Sequence, residues 1–545
     1  MHAPWLVPLV PLACLLLVVA AWLIRLALSR ARDRRLEAHW QAGLLPTQPR
    51  PIERVDRLWR CSAIDEHEGK RFELDAQTFA DLDLDAVYGA IDRSSTPLGA
   101  QCLYEALRRP HLSPAGLTSR RQMVDSLRAD ATRRRAVQAA LAPLSHPCGY
   151  SLAPLVWRPV RLALPLSTKL WRAARALLLL LGALAFTVAP AFGLGAITLV
   201  AINSLVHLRF EREALDVSAA LAYLATTLRA AERLAEVVDD KRGAAIEQHL
   251  RATAQLQRRL ATLAAQDPLG VVDFVHAVTL TRAIACCRAI DELARCSRDV
   301  RALLRHVGAI DMALARAALA EHVALSRPNL DARPDAALRI DGARHPLVEG
   351  CVANDYSSRR FGAGLLISGG NATGKSTYLR AVALNVVLAQ AIDAVFADRY
   401  RAPWLRVMTS ISIADDVQAG RSFFLSEAHV ALSLLRRAEQ RGPRALIVVD
   451  ELFRGTNSVE RVAIVVAVLH HLVARGLVIA ATHDNEVLER LGGACFTLAC
   501  FETGGEPFGL RRGRVAVGNA IATLERLGFP QSVVASARAS TATSS

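Results

Sequence analysis

The nine residues GGNATGKST, from Gly369 to Thr377, place glycines, a lysine and a serine at a spacing that suits one kind of chemistry. Glycines let successive backbone N–H groups turn toward a common centre, which makes a cradle for anionic oxygens. Lys375 and Ser376 follow at once, a cation and a hydroxyl. Together they read as a phosphate loop: Lys375 reaches the β- and γ-phosphates and the Ser376 hydroxyl ligates Mg2+. The order matches G-x-x-x-x-G-K-[ST] through Gly369, Gly374, Lys375 and Ser376. The expected ATP contacts are therefore Gly369, Gly370, Ala372, Thr373, Gly374, Lys375, Ser376 and Thr377, with Mg2+ as the companion ion.

Such a loop needs a strand before it and a helix after it, so that the helix N-terminus adds its dipole to the phosphate site. GLLISG (364–369) supplies a short apolar strand, and a helical run continues to Ile392. A second apolar strand, ALIVVDE, covers 445–451 and reads as buried on both faces. Asp450 at its end would hold the metal through water, and Glu451 would orient or deprotonate the attacking water. A third, LVIAATHD (477–484), ends in Thr482 and His483, placed to sense the γ-phosphate. These strands put the ligand beyond the carboxyl ends of an open parallel sheet.

The remaining composition favours helices. Over 545 residues the chain is 52% hydrophobic with few aromatics, and its formal net charge is +15. That excess suits nucleic acid or anionic lipid, or is simply arginine scattered over solvated faces. Ten cysteines include no C-x-x-C pair, which argues against zinc-ribbon or thioredoxin chemistry and suits a reducing cytosol.

Two apolar segments point to a membrane. Trp5 to Ile24 is 20 residues without a charge, about enough to cross a ~30 Å hydrocarbon core. A cleaved signal would carry its positive charges before the apolar run. Here Arg25, Arg30, Arg32, Arg34 and Arg35 come after it, which predicts a retained anchor with the following chain in the cytoplasm. Residues 176–208 also lack Asp, Glu, Lys and Arg, but are interrupted by Pro190 and Gly193 and flanked by basic residues. A helical hairpin with both ends cytoplasmic fits. Its legs of about 15 residues are short for a full span, so a re-entrant dip and a buried soluble hairpin stay open. One span plus two leaves residues 365–490 in the cytoplasm, as ATP binding requires. The expected location is the inner membrane, multi-pass, with the nucleotide site inside.

The stretch GGNATGKSTYLRAVALNVVLAQ resembles the MutS family of mismatch-repair ATPases. Further segments agree in order and spacing: ARHPLVEG (343–350) with Asn354-Asp355, ADDVQAGRSFFLSEA (414–428), DELFRGTNS (450–458), ATHDNE (481–486) and GNAIATLERLGFPQSVVASA (518–537). Phe453 stands where the family usually has Gly. A weaker likeness over 80–128, including Thr96, Gly99, Leu103, Pro110 and Arg120, resembles the start of the family's helical core. The resemblance implies an ABC-like α/β P-loop ATPase of MutS type, C-terminal to an all-α core that here carries transmembrane helices. It implies a homodimer with composite sites, in which Ser422 reaches the partner's γ-phosphate and Asn371 helps order the catalytic water. Glu451, His483, Lys375 and Asn371 would be catalytic, and Ser376 and Asp450 would hold the metal. Cys351 and Val352 fall where the family stacks an apolar side chain on adenine.

The expected division is an anchor at 1–28, a basic linker at 29–79, helical core at 80–175 and 209–335, the membrane hairpin at 176–208, and the ATPase domain at 336–545. No stretch resembles the family's mismatch-reading domain, for which 29–79 is too short. Span 210–330 is short for both core helices and a DNA clamp, and the family's extra C-terminal dimerisation helices are missing. Direct mismatch recognition is therefore not expected. Duplex DNA would be held by phosphate contacts without strong sequence preference. A transporter is the competing reading, but no Leu-Ser-Gly-Gly-Gln-like run precedes the acidic strand. A membrane scaffold without activity is the other, against which the intact Lys375, Ser376, Asp450, Glu451 and His483 speak.

Overall fold

The computed structural model describes residues 25–542 except 26, 29, 47, 63–71, 159, 161, 163–167, 262–277, 359–361, 371–372, 413–422, 494, 502–507, 514–520, 522–523 and 526–527. The expected anchor at Trp5 to Ile24, the loop residues Asn371 and Ala372, and Ser422 lie outside the described residues. The chain forms two compact units. One holds 1–65, 92–102 and 122–322, and the other holds 66–91, 103–121 and 323–545. They do not follow the continuous segments expected from sequence.

The first unit is helical. Its spine is Ala191–Val237, one unbroken helix of 47 residues. The apolar run that ends at Leu208 in the sequence continues as an amphipathic pattern, so the helix runs on through Arg209 and Arg212. Leu221, Leu224, Leu228 and Ala231 are buried on its core side, spaced at three, four and three residues as a helix face requires. Against them pack the Thr281–Arg295 and Ser297–His322 helices, with Leu303, Val307, Ile310 and Leu314 fully buried. In the middle of this apolar core sits Asp311, with no exposed surface. Its carboxylate accepts the Ser95 N–H (3.0 Å), the Thr96 N–H (2.8 Å) and the Thr96 hydroxyl (2.7 Å). Thr96 Oγ1 in turn accepts the Gly99 N–H at 3.1 Å, capping the Pro97–Arg108 helix. A Cβ on Gly99 would lie 2.1 Å from Asp311 Oδ2, so only glycine lets the carboxylate approach.

Thr168–Thr187 pairs with the first part of the long helix as the expected hairpin, turning at Val188 to Pro190. Among the described residues one helix stretch, Ala191–Arg212, is long and apolar enough to cross a membrane by length and composition. The other leg has a shorter apolar run, Ala173–Thr187. The hairpin expected over 176–208, with two legs of about 15 residues, thus has unequal legs, one of them longer and apolar through Arg212.

The second unit carries two sheets. The smaller has the order β1-β5-β2-β3, with β1 Asn329–Asp331, β2 Arg339–Ala343, β3 Asn354–Ser357 and β5 Arg399–Pro403. The larger has the order β10-β9-β4-β8-β7-β6: β4 Gly364–Gly369, β6 Arg406–Ser410, β7 Ala445–Asp450, β8 Gly476–Ala481, β9 Phe496–Phe501 and β10 Leu510–Arg512. All its pairings are parallel except β9 with β10. Every residue of β7 and β8 is buried, as expected for strands covered on both faces.

Residues 72–91 join this unit for a polar reason. The helix Ala76–Asp81 ends in a buried carboxylate. Asp81 accepts the Thr409 hydroxyl (2.7 Å) and the N–H groups of Ile411 (2.8 Å) and Ser412 (2.9 Å). Arg380 Nε donates to the Asp81 carbonyl at 2.7 Å. The sheet end beyond β6 therefore has its backbone donors satisfied by a segment more than 300 residues earlier in the chain.

Candidate functional site

The central strand β4 ends at Gly369, and the helix Lys375–Ile392 starts five residues after Gly370. Gly374 caps that helix with φ +96°, a left-handed conformation that favours glycine. A Cβ there would lie 3.1 Å from the Phe508 ring. The helix N-terminus opens into a cavity of about 680 Å³. Thr373, Gly374, Lys375, Ser376 and Thr377 line it from the loop, Asp450 and Glu451 from the end of β7, and Cys351 and Val352 from the turn before β3. Thus the loop, the acidic pair and the turn before β3 line one cavity. Gly369 and Gly370 frame the loop through their carbonyls.

Lys375 is buried, and its Nζ donates to the carbonyls of Gly369 (2.7 Å) and Gly370 (2.8 Å). Burial pulls its pKa below the ordinary lysine value, while Glu451 and Asp450 oppose that shift. The Ser376 hydroxyl donates to Asp450 Oδ2 in a short contact. Burial raises the Asp450 pKa, and the Ser376 hydrogen bond offsets part of that rise. Ser376 and Asp450 thus form an oxygen pair beside the helix N-terminus, the donor set that a hard divalent cation takes.

Glu451 has φ +51° and leaves the strand by a sharp turn. Its Oε1 lies 3.0 Å from His483 Nδ1, and its Oε2 lies 3.1 Å from Arg454 Nε. The hydrogen bond with His483 lowers the Glu451 pKa, with the charges of His483 and Arg454 adding to it. The same hydrogen bond raises the pKa of His483. His483 therefore stands beside Glu451, two residues beyond the end of β8.

The sequence alone does not point to Glu427 or Phe508. Glu427, 1% exposed, accepts the N–H groups of Arg454 (2.9 Å) and Gly455 (3.1 Å), and so holds the turn that follows Glu451. Phe453 in that turn has φ +59° and packs on Phe424 with ring centroids 6.0 Å apart. Phe508 lines the cavity with about half its surface exposed. Its carbonyl accepts from Asn354 Nδ2 at 3.0 Å, and Asn354 Oδ1 accepts the Leu510 N–H at 2.7 Å. The Ala-Asn pair after Val352 could have signalled this tether, since a buried-edge asparagine needs two partners.

Comparison with known proteins agrees with this geometry. The model for MutS domain V matches residues 365–543. A DNA mismatch repair protein MutS of Ruegeria pomeroyi is 34% identical over 255 residues, 43% of this chain and 28% of the relative. One of Sorangium cellulosum is 35% identical over 268 residues, 46% of this chain and 29% of the relative. DNA mismatch repair protein MutS 2 of Halobacterium salinarum is 33% identical over 206 residues, 36% and 23% of the two chains. The matched stretch spans less than a third of each relative's length. The segment 365–543, which contains the loop, the acidic pair and the histidine described above, is thus similar to domain V of the MutS family.

Proposed function

We propose that this protein is a Mg2+-dependent ATPase of MutS type, held at the cytoplasmic face of the inner membrane and acting in DNA transactions related to mismatch repair. The observation that carries the reading is the convergence of Lys375, Ser376, Asp450 and Glu451 on one cavity at a helix N-terminus, with His483 against Glu451. The triphosphate takes the place that Lys375 Nζ now fills with the Gly369 and Gly370 carbonyls. Lys375 then moves its hydrogen bonds to phosphate oxygens, and the loop N–H groups face the same oxygens. Ser376 and Asp450 would hold Mg2+, which when bound neutralises phosphate charge. Glu451 orients the attacking water and takes its proton, with His483 and Arg454 setting how readily it does so. Asn371 completes the water site, and Phe508 with Val352 encloses the adenine.

The functional unit is a homodimer in which Ser422 of each chain completes the partner's site. The apolar segments 5–24 and 176–208 attach it to the bilayer, and this leaves the nucleotide site in the cytoplasm. Duplex DNA is bound through arginine contacts to phosphate, without strong sequence preference. The test is the steady-state ATPase rate of the full chain in detergent, with Mg2+, with and without duplex DNA at two salt concentrations. The reading expects hydrolysis that Glu451→Gln reduces at least about 100-fold and that DNA alters more at low salt than at high salt. A Glu451→Gln rate equal to that of the parent overturns the assignment of the base. A rate indifferent to DNA at both salts removes the DNA part.

A further inference from the structure

The hairpin formed by Thr168–Thr187 and the start of Ala191–Val237 has a length and a tip that specify how deep it goes. From the turn outward, the first buried residue on the descending leg is Leu178, and on the ascending leg it is Asn203. Eleven residues separate Ala189 from Leu178 and thirteen separate Pro190 from Asn203, so ~17–20 Å of bare helix projects from the unit. Below that level the surface becomes protein-packed and charged. Asn203 Nδ2 donates to the Val278 carbonyl at 2.6 Å, His207 lies 3.4 Å from Glu211, and Arg282 lies 3.9 Å from the same carboxylate. Arg209 and Arg212 are exposed there.

The tip is made for hydrocarbon. Phe186 is 95% exposed, Leu194 70%, Val188 68% and Ile197 67%, and no residue from Leu184 to Ile197 is charged. Backbone groups in lipid must be satisfied within the protein. At the turn, the N–H groups of Val188 and Ala189 both donate to the Leu184 carbonyl, Phe192 N–H donates to Ala189 and Gly193 N–H to Pro190. Pro190 has no N–H to satisfy. The two hydroxyls near the tip turn back on their own helices, Thr187 to the Ala183 carbonyl and Thr198 to the Leu194 carbonyl, both at 2.8 Å. A turn emerging into water on the far side would leave these phenylalanine, leucine and isoleucine side chains solvated and offer no polar group to the headgroups.

We infer that the hairpin is a membrane dip: it enters the cytoplasmic leaflet of an anionic bilayer, ends near the midplane with Val188 to Pro190 among acyl chains, and does not cross. A bilayer core of ~30 Å has a leaflet of ~15 Å, which ~17–20 Å of hairpin passes without reaching the far headgroups. The arginines at its base meet the anionic headgroups on the cytoplasmic side. The inference rests on the membrane attachment proposed above and replaces two crossings with none. An even number of crossings is kept, so the nucleotide site stays on the same side.

The experiment uses the full chain with Ala189→Cys at the turn or Asp216→Cys at the exposed, charged end, expressed in cells. A membrane-impermeant maleimide is applied to intact cells, to inside-out vesicles and after detergent, and labelling is read on the peptide carrying the new cysteine. The inference expects Ala189→Cys to label only after detergent, with at least about ten-fold less labelling from either side, while Asp216→Cys labels in inside-out vesicles. Labelling of Ala189→Cys in intact cells shows that the hairpin crosses and overturns the inference. Labelling of Ala189→Cys in inside-out vesicles shows that the tip is not inserted and overturns it as well. Recovery of the chain wholly in the soluble fraction sinks the membrane attachment itself. A nitroxide on Ala189→Cys supplies a second readout: relaxation by oxygen should exceed relaxation by a water-soluble nickel complex, and the reverse order overturns the dip.

Discussion

His483 Nδ1 and Glu451 Oε1 lie 3.0 Å apart, which ties Glu451 to a titrating partner. Glu451 is depressed and His483 raised, each chiefly by this one hydrogen bond. The pair is therefore charged between the depressed value of Glu451, under the ordinary ~4.3, and the raised value of His483, above ~6.5. Its contribution to stability is lost as pH falls through the first and as pH rises through the second. His483 is 55% exposed in its side chain, so solvent screens that contribution and activity is the better readout. ATP hydrolysis should rise with pH as His483 loses its proton above ~6.5 and releases Glu451 to the water. His483→Ala should flatten that limb. A pH–rate profile at saturating ATP that is the same in parent and variant refutes the coupling.

Lys375 is held by the Gly369 and Gly370 carbonyls, positions that phosphate oxygens would take over. Lys375→Ala removes charge-assisted hydrogen bonds worth about 1.5–3 kcal/mol each. Affinity for a fluorescent ATP analogue should fall at least about ten-fold, while the thermal midpoint of the nucleotide-free chain changes little. Retained affinity would mean that the loop does not hold the phosphates.

Phe453 combines φ +59° with 4% exposure and a contact to Phe424. Phe453→Ala loses the packing, at about 3–5 kcal/mol, and keeps a Cβ in the left-handed region. Phe453→Gly loses the same packing but escapes the left-handed penalty of about 1–2 kcal/mol. In chemical denaturation the glycine variant should unfold later than the alanine variant, by roughly 0.5–1 kcal/mol after allowing for its looser unfolded chain. The opposite order would show that the turn is not strained.

Asp311 is fully buried, and that burial pushes its pKa up to about 6 against the hydrogen bonds from Thr96 and Ser95. A carboxyl raised in the folded state favours folding below its unfolded value near 3.9 and loses that contribution as pH rises toward about 6. The helical unit should therefore lose up to about 2–3 kcal/mol of stability from this group between pH 4 and 6. Asp311→Asn should lack that slope when unfolding free energy is followed across the range, whatever its stability at one pH. A slope that survives in the variant assigns it to other groups.

What was legible in the sequence was what is local. The loop, the acidic strand end and the histidine each lie within one short stretch, and strand order alone brings Lys375, Asp450, Glu451 and His483 together. Glu427 escaped notice because the groups that it holds, Arg454 and Gly455, are 27 and 28 residues away on another element. Residues 76–81 straddle the expected boundary at 79/80 between basic linker and helical core, and neither side of it points to the sheet. Their allegiance to the sheet depends on Asp81 meeting Thr409, Ile411 and Ser412, which no periodicity encodes. Thr96 and Gly99 were picked out by resemblance, and Asp311 supplies the physical cause. The hairpin was legible as a hairpin, but its bare length was not, because Asn203 and Leu178 mark where protein packing begins.

The 47-residue helix Ala191–Val237 is also a mechanical element. At 1.5 Å per residue it is a rod ~70 Å long, and a helix bends far more readily than it stretches or shortens. A tilt of about 5° at its Ala191 end, taken about a fixed point there, displaces the Val237 end by ~6 Å. The rod carries the tip at one end and the buried Leu228 and Leu234 at the other, with no proline or bulge between to act as a joint. Because a helix resists shortening, a push along the axis at the Ala191 end would arrive at Leu228 and Leu234 with little loss, and the two ends would shift as one piece.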